Sequence, residues 1–284
     1  MSSVKPQPVP LRRRLVAEAL GTALLVTVVV GSGIAAAALS PSDIGLQLLQ
    51  NSTATAFGLA VLILVFGPVS GAHFNPVVSA ADWLLGRRSG TGLTLGDVLA
   101  YTTAQTLGGI AGTLLAHAMF DLPLAQISTQ DRASVGRGLG EVVATTGLIL
   151  VIFALARTGR AAMSAAAVGG YVGAAYWFTS STSFANPAVT IGRMFTDTFT
   201  GITPASAPLF VGAQILGAAV GLGLVRLLFP DAAVAADRVT VPHATTGTER
   251  TDPCRNPACC SSACTTPADP RWPQPSSPTC PTVQ

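Results

Sequence analysis

Six apolar runs, each about as long as a bilayer is thick, constrain this chain more than any other feature. They cover roughly residues 15–39, 45–66, 95–120, 139–156, 161–178 and 208–229. A hydrocarbon core of about 30 Å takes about 20 apolar residues in a helix. Lipid offers the backbone no hydrogen bonds, so each run must satisfy its own. The expected class is an all-α membrane protein with six transmembrane helices and lipid as its first partner. Charge agrees, because residues 15–229 hold only 16 of the 29 Lys, Arg, Asp and Glu residues. A net charge of +3, dispersed over 284 residues, makes no nucleic-acid surface. Arg12, Arg13 and Arg14 stand where a secretory signal would carry its charges, but five further runs follow the first, so a retained span is expected.

An even number of spans puts both termini on one side of the membrane. Lys5, Arg12, Arg13, Arg14, Arg87, Arg88, Arg157, Arg160 and Arg226 fall on the terminal side, against Arg132, Arg137 and Arg193 opposite. The excess places both termini in the cytoplasm. The organisation that follows is an N-terminal segment 1–11, a channel domain 12–229 and a tail 230–284. The tail carries ten of the twenty prolines and few large apolar residues, and reads as disordered.

The chain also repeats itself. EALGTALLV from Glu18 resembles EVVATTGLILV from Glu141, QTLGGIAG from Gln105 resembles QILGAAVG from Gln214, and FNPVV from Phe74 resembles ANPAV from Ala185. The repeats occupy about 12–120 and 136–229. Each holds three spans, an odd number, so the second half crosses the membrane inverted, a plan that places a solute path at the interface of the halves near the midplane.

Each Asn-Pro pair opens an apolar stretch of about ten residues, 75–85 and 186–195. Asn is a favoured N-cap and Pro a favoured first helical residue. Asn75 with Pro76 and Asn186 with Pro187 therefore each start a helix of roughly 15 Å, half a membrane thickness. Two re-entrant half-helices should then meet mid-bilayer, their positive ends facing each other. Such a junction passes neutral solutes and repels cations, and the Asn75 and Asn186 amides can donate to a passing oxygen.

SGAHFNPVV from Ser70, SFANPAVT from Ser183 and AEALGT from Ala17 resemble the major intrinsic protein family, the aquaporins and aquaglyceroporins, over about 11–229. The Asn-Pro-Ala signature is complete at Ala188 and altered at Val77, where the family usually has Ala. The resemblance implies a homotetramer with one pore per subunit, no cofactor and no enzymatic activity. It also implies a selectivity filter at Thr55, Ala174, Ser183 and Val189. The family usually has Arg at the last of these and aromatic bulk on the first two, so this ring reads as wide. NPAVTIGR from Asn186 is similar to bacterial aquaglyceroporins associated with arsenic resistance. What that implies is a channel of the inner (plasma) membrane type passing arsenous acid, a flat triol near glycerol in size. Methylated arsenicals, glycerol and water are the other implied solutes.

The remaining candidates carry open alternatives. Arg193, four residues after Val189, is either a vestibule charge or an interfacial residue that snorkels or pairs with Asp197 at i+4. Glu18 and Glu141 either accept hydrogen bonds from the re-entrant loops or serve an ion-coupled secondary carrier, a class that also uses inverted repeats. His73 reads as a loop brace or lumen lining, and His117 has no partner assignable from sequence. No catalytic or metal constellation falls within the spans. All five cysteines lie in the tail, where Cys254, Cys259, Cys260 and Cys264 lack zinc-module spacing. They read as reduced thiols of a disordered segment, the alternative being capture of trivalent arsenic or a soft metal. Cys280 stands apart from this cluster.

Overall fold

A computed structural model of the chain describes residues 9–87 and 90–230, and its described residues are helical with no strand. The order is α1 (Leu11–Leu39), α2 (Ile44–Ser70), α3 (Pro76–Gly86), α4 (Leu95–Met119), α5 (Val135–Arg157), α6 (Ser164–Phe178), α7 (Pro187–Gly192) and α8 (Ala207–Leu228). Single turns of 3₁₀ helix precede α6 at Ala161–Met163 and follow α7 at Arg193–Phe195. Caps mark several starts: Asp43 accepts from Leu46 N, Thr94 and Asp97 form a capping box, and Ser134 accepts from Arg137 N.

Helices α1, α2, α5 and α8 are each long and apolar enough to cross a membrane. The polar residues of α4 dilute its hydropathy, yet Tyr101, Gln105, Thr113 and His117 are buried inside the protein. The 15 residues of α6 span about 22 Å, and its leading 3₁₀ turn adds about 6 Å.

The inverted repeat is visible in the packing. The pair α1·α4 corresponds to α5·α8, and α7 packs mainly on α4 of the other half, whereas α3 touches both α4 and α8. Close approach rests on missing side chains. A Cβ on Gly108 would lie 2.2 Å from the Ala19 carbonyl oxygen, and one on Gly217 would lie 2.5 Å from that of Val142. Small residues at such positions let helices pack by van der Waals contact where lipid supplies no hydrophobic drive.

Candidate functional site: a lumen between two half-helices

The two short helices begin at their asparagines. Asn75 and Asn186 take extended backbone, φ −153° and −157°. The Asn75 side-chain oxygen accepts from Val77 N at 3.1 Å, and that of Asn186 accepts from Ala188 N at 2.9 Å. Pro76 and Pro187 occupy the first turn, where a missing N–H leaves no partner wanting. The caps also clasp each other. Asn75 Nδ2 donates to the Ala185 carbonyl at 2.8 Å, and Asn186 Nδ2 donates to that of Phe74 at 2.7 Å. Each amide keeps a second N–H for a solute.

The loops feeding these caps are strained. Ala72 and Phe74 have φ of 51° and 49°, and Ser183 and Ala185, their equivalents 111 residues on, have 48° each. Left-handed backbone costs a non-glycine residue about 1–2 kcal/mol. Two buried carboxylates hold it in place. Glu18 accepts from His73 N, Phe74 N, Ser70 Oγ and Gln105 Nε2, all within 3.0 Å. Glu141 accepts from Phe184 N, Ala185 N and Gln214 Nε2, all within 2.8 Å. Each Gln then reaches the half-helix itself, Gln105 to Ser79 Oγ and Gln214 to Thr190 Oγ1.

A cavity of about 420 Å³ runs past both caps. Thr55, Ser183, Val189 and Arg193 line it, as do Asn75, Asn186 and His73, whereas Glu18 and Glu141 do not. Val77 turns away into the apolar core, and Ala188 is fully buried. His73 Nδ1 meets Ser79 Oγ at 3.1 Å, so its ring both braces the loop and borders the lumen.

Two readings need correction. Ala174 lies on the exposed outer face of α6 and does not line the cavity, whereas Tyr176 of that helix does, its hydroxyl meeting Thr55 Oγ1 at 3.2 Å. Separation along the chain from Asn186 sets a distance but not a helical phase. The inner stripe Ala165, Val168, Val172, Tyr176 has helical spacing that excludes position 174. An aromatic side chain therefore stands beside Thr55 in the cavity wall.

Arg193 makes no pair with Asp197. The α-helix stops at Gly192, and after the 3₁₀ turn Thr196 is extended, so i+4 is no longer one turn away. Asp197 instead accepts from Thr129 N and Oγ1 at 2.8 Å each. Those two hydrogen bonds, the backbone one foremost, hold its carboxyl below the usual value.

Sequence reasoning missed the strap that frames this mouth. Residues 126–132 run along 194–206, with Ser128 N on Met194 O, Arg132 Nε on Gly201 O and Arg132 Nη2 on Phe199 O. His117 has partners after all: Nε2 meets Thr196 Oγ1 at 2.8 Å, and Nδ1 faces the Pro123 carbonyl at 2.9 Å. Cys254, Cys259, Cys260 and Cys264 lie outside the described residues.

Six long helices, two opposed half-helices and one lumen past two asparagine caps define a membrane channel built on an inverted repeat. The major intrinsic protein family model matches residues 5–182. The chain is 52% identical over 226 residues to aquaglyceroporin AqpS of Rhizobium meliloti, covering 80% of this chain and 94% of that relative. It is 31% identical over 246 residues to the probable aquaporin AqpM of Archaeoglobus fulgidus, covering 77% and 97% respectively. In fold it resembles the aquaglyceroporin from Plasmodium falciparum, with TM-score 0.56 and 22% identity over 80% of this chain and all of that one. The chain belongs to the major intrinsic protein family, the aquaporin and aquaglyceroporin channels, and is not an enzyme.

Proposed function

We propose that this protein is a passive channel for small uncharged solutes, conducting glycerol-sized polyols and undissociated arsenous acid, with water as a further permeant. The observation that carries this reading is the composition of the lumen. Around the junction it offers hydroxyls of Thr55, Tyr176 and Ser183, amides of Asn75 and Asn186, and apolar wall at Val189. Ser183 lines the cavity as a residue, and its buried Oγ has no hydrogen-bond partner among the described residues. Selectivity in a pore follows diameter and lining partners, and this lining suits a flat triol. The relatedness to a protein named aquaglyceroporin AqpS supports a solute larger than water. Arsenite uptake by cells lacking such channels, read as cell-associated arsenic, tests the choice. Uptake raised several-fold by the chain supports arsenous acid, and uptake at background beside rapid glycerol entry would reduce the reading to a glycerol or water facilitator.

A coupled carrier would need Glu18 or Glu141 as an ion site. Both carboxylates are engaged by buried donors and stand off the lumen, which favours the loop-holding role. The filter comprises Thr55, Tyr176, Ser183 and Val189, with Arg193 at the outer vestibule. The channel domain is 12–229, the protein sits in an inner-type membrane as a homotetramer, and both termini with the tail 230–284 lie in the cytoplasm. Native mass spectrometry in detergent checks the tetramer, and protease access to terminal tags in sealed vesicles checks the orientation.

A further inference from the structure

We propose that Arg193 is the charge-selecting residue of this lumen, its guanidinium seated on Phe184 and held by Thr200, four residues beyond Val189. The inference rests on the channel reading above and adds a second barrier to the half-helix ends.

Arg193 is only 2% exposed, yet it lines the cavity. Its guanidinium carbon stands 3.4 Å from the centroid of the Phe184 ring. Its Nε donates to the Thr200 carbonyl. The Nη groups have no hydrogen-bond partner among the described residues and are not sealed from the lumen. No described carboxylate lies within ion-pair distance, the one such pair being Arg14 with Asp97. A buried charge without a counter-ion is expensive, and its field acts on whatever shares the low-dielectric space beside it. Among the described lining residues Arg193 is the only Arg, Lys, Asp or Glu, with His73 the other group able to carry a positive charge, so its charge adds directly to the positive half-helix ends.

The holder is built for this task. A Cβ on Gly33 of α1 would lie 2.3 Å from the Thr200 methyl, so α1 is cut away where the Thr200 segment packs. The Thr200 hydroxyl continues through Thr198 and Thr196 to His117. Arg132 approaches the same ring at 5.4 Å, but it spends its donors on Gly201 and Phe199 carbonyls and does not line the cavity. Fixed N–H donors facing the lumen attract solute oxygens, while the charge turns back cations and protons.

The test uses the full chain in proteoliposomes, with glycerol shrinkage and proton leak read in parallel by light scattering and an entrapped pH dye. Arg193→Gln keeps a donor for Thr200 without the charge, and Arg193→Lys keeps the charge without the planar stack. Proton leak relative to each variant's own glycerol flux should rise about tenfold or more in Arg193→Gln and stay near the wild-type ratio in Arg193→Lys. Arg193→Gln as proton-tight as wild type while still passing glycerol overturns the assignment, as does Arg193→Lys leaking as much as Arg193→Gln. If wild type itself passes no neutral solute, the channel reading fails instead.

Discussion

Single residues hold this structure's two most expensive features, the left-handed loops and the buried charges. Glu18 and Glu141 are fully buried, and each is satisfied by backbone and Gln donors. Replacing either carboxylate by an amide puts N–H against N–H. Glu18→Gln and Glu141→Gln should each destabilise the folded protein by about 2–3 kcal/mol, with Glu18→Asp intermediate. Thermal unfolding in detergent checks this, and equal stability to wild type would contradict the loop-holding role. At the proposed filter, Val189→Arg adds a long cation to the lumen that Arg193 also lines, and glycerol flux should fall about tenfold or more while water flux falls less. The caps were legible because Asn-Pro has one strong local meaning. Tyr176 was not, since distance along the chain from Asn186 carries no information about which way α6 is turned. The partners of Arg193 and Asp197 were misread for a related reason: α7 ends earlier than a regular helix would.

At the scale of elements, the close pairs α1·α4 and α5·α8 and the outer strap do different work. The helix pairs approach until only glycine fits, so Gly108→Ala and Gly217→Ala should each cost about 1–3 kcal/mol by forcing backbone apart. A matched exposed control, Gly136→Ala, meets nothing within 4 Å and should be close to neutral. The strap responds to acid. Hydrogen bonds from Thr129 depress the Asp197 carboxyl below 3.8, so its contribution is complete above that value and is lost as pH falls through the lower folded value. Amide exchange at Thr129, corrected for its intrinsic pH dependence, should accelerate there. In Asp197→Asn that acid step should be absent. None of this strap was readable in sequence, because loops set by long-range carbonyl contacts have neither periodicity nor cap signals.

At the scale of the whole molecule, the repeat explains why so much of the architecture could be read in advance. Apolar length gave the long helices, paired Asn-Pro gave the short ones, and an odd number of spans per half gave their opposition. The equivalences recur in detail: Glu18 with Glu141, Gln105 with Gln214, Ser79 with Thr190. Tyr176 and Arg193 both line the lumen, and they are where the proposed selectivity departs from the repeat. A passive corridor makes one demand that a carrier does not. Stopped-flow shrinkage of proteoliposomes holding the full chain, driven by glycerol with no ion gradient, should give flux that rises linearly with the imposed concentration difference. Flux that saturates, or that appears only when a proton or sodium gradient is applied, would contradict a shared lumen between the half-helices.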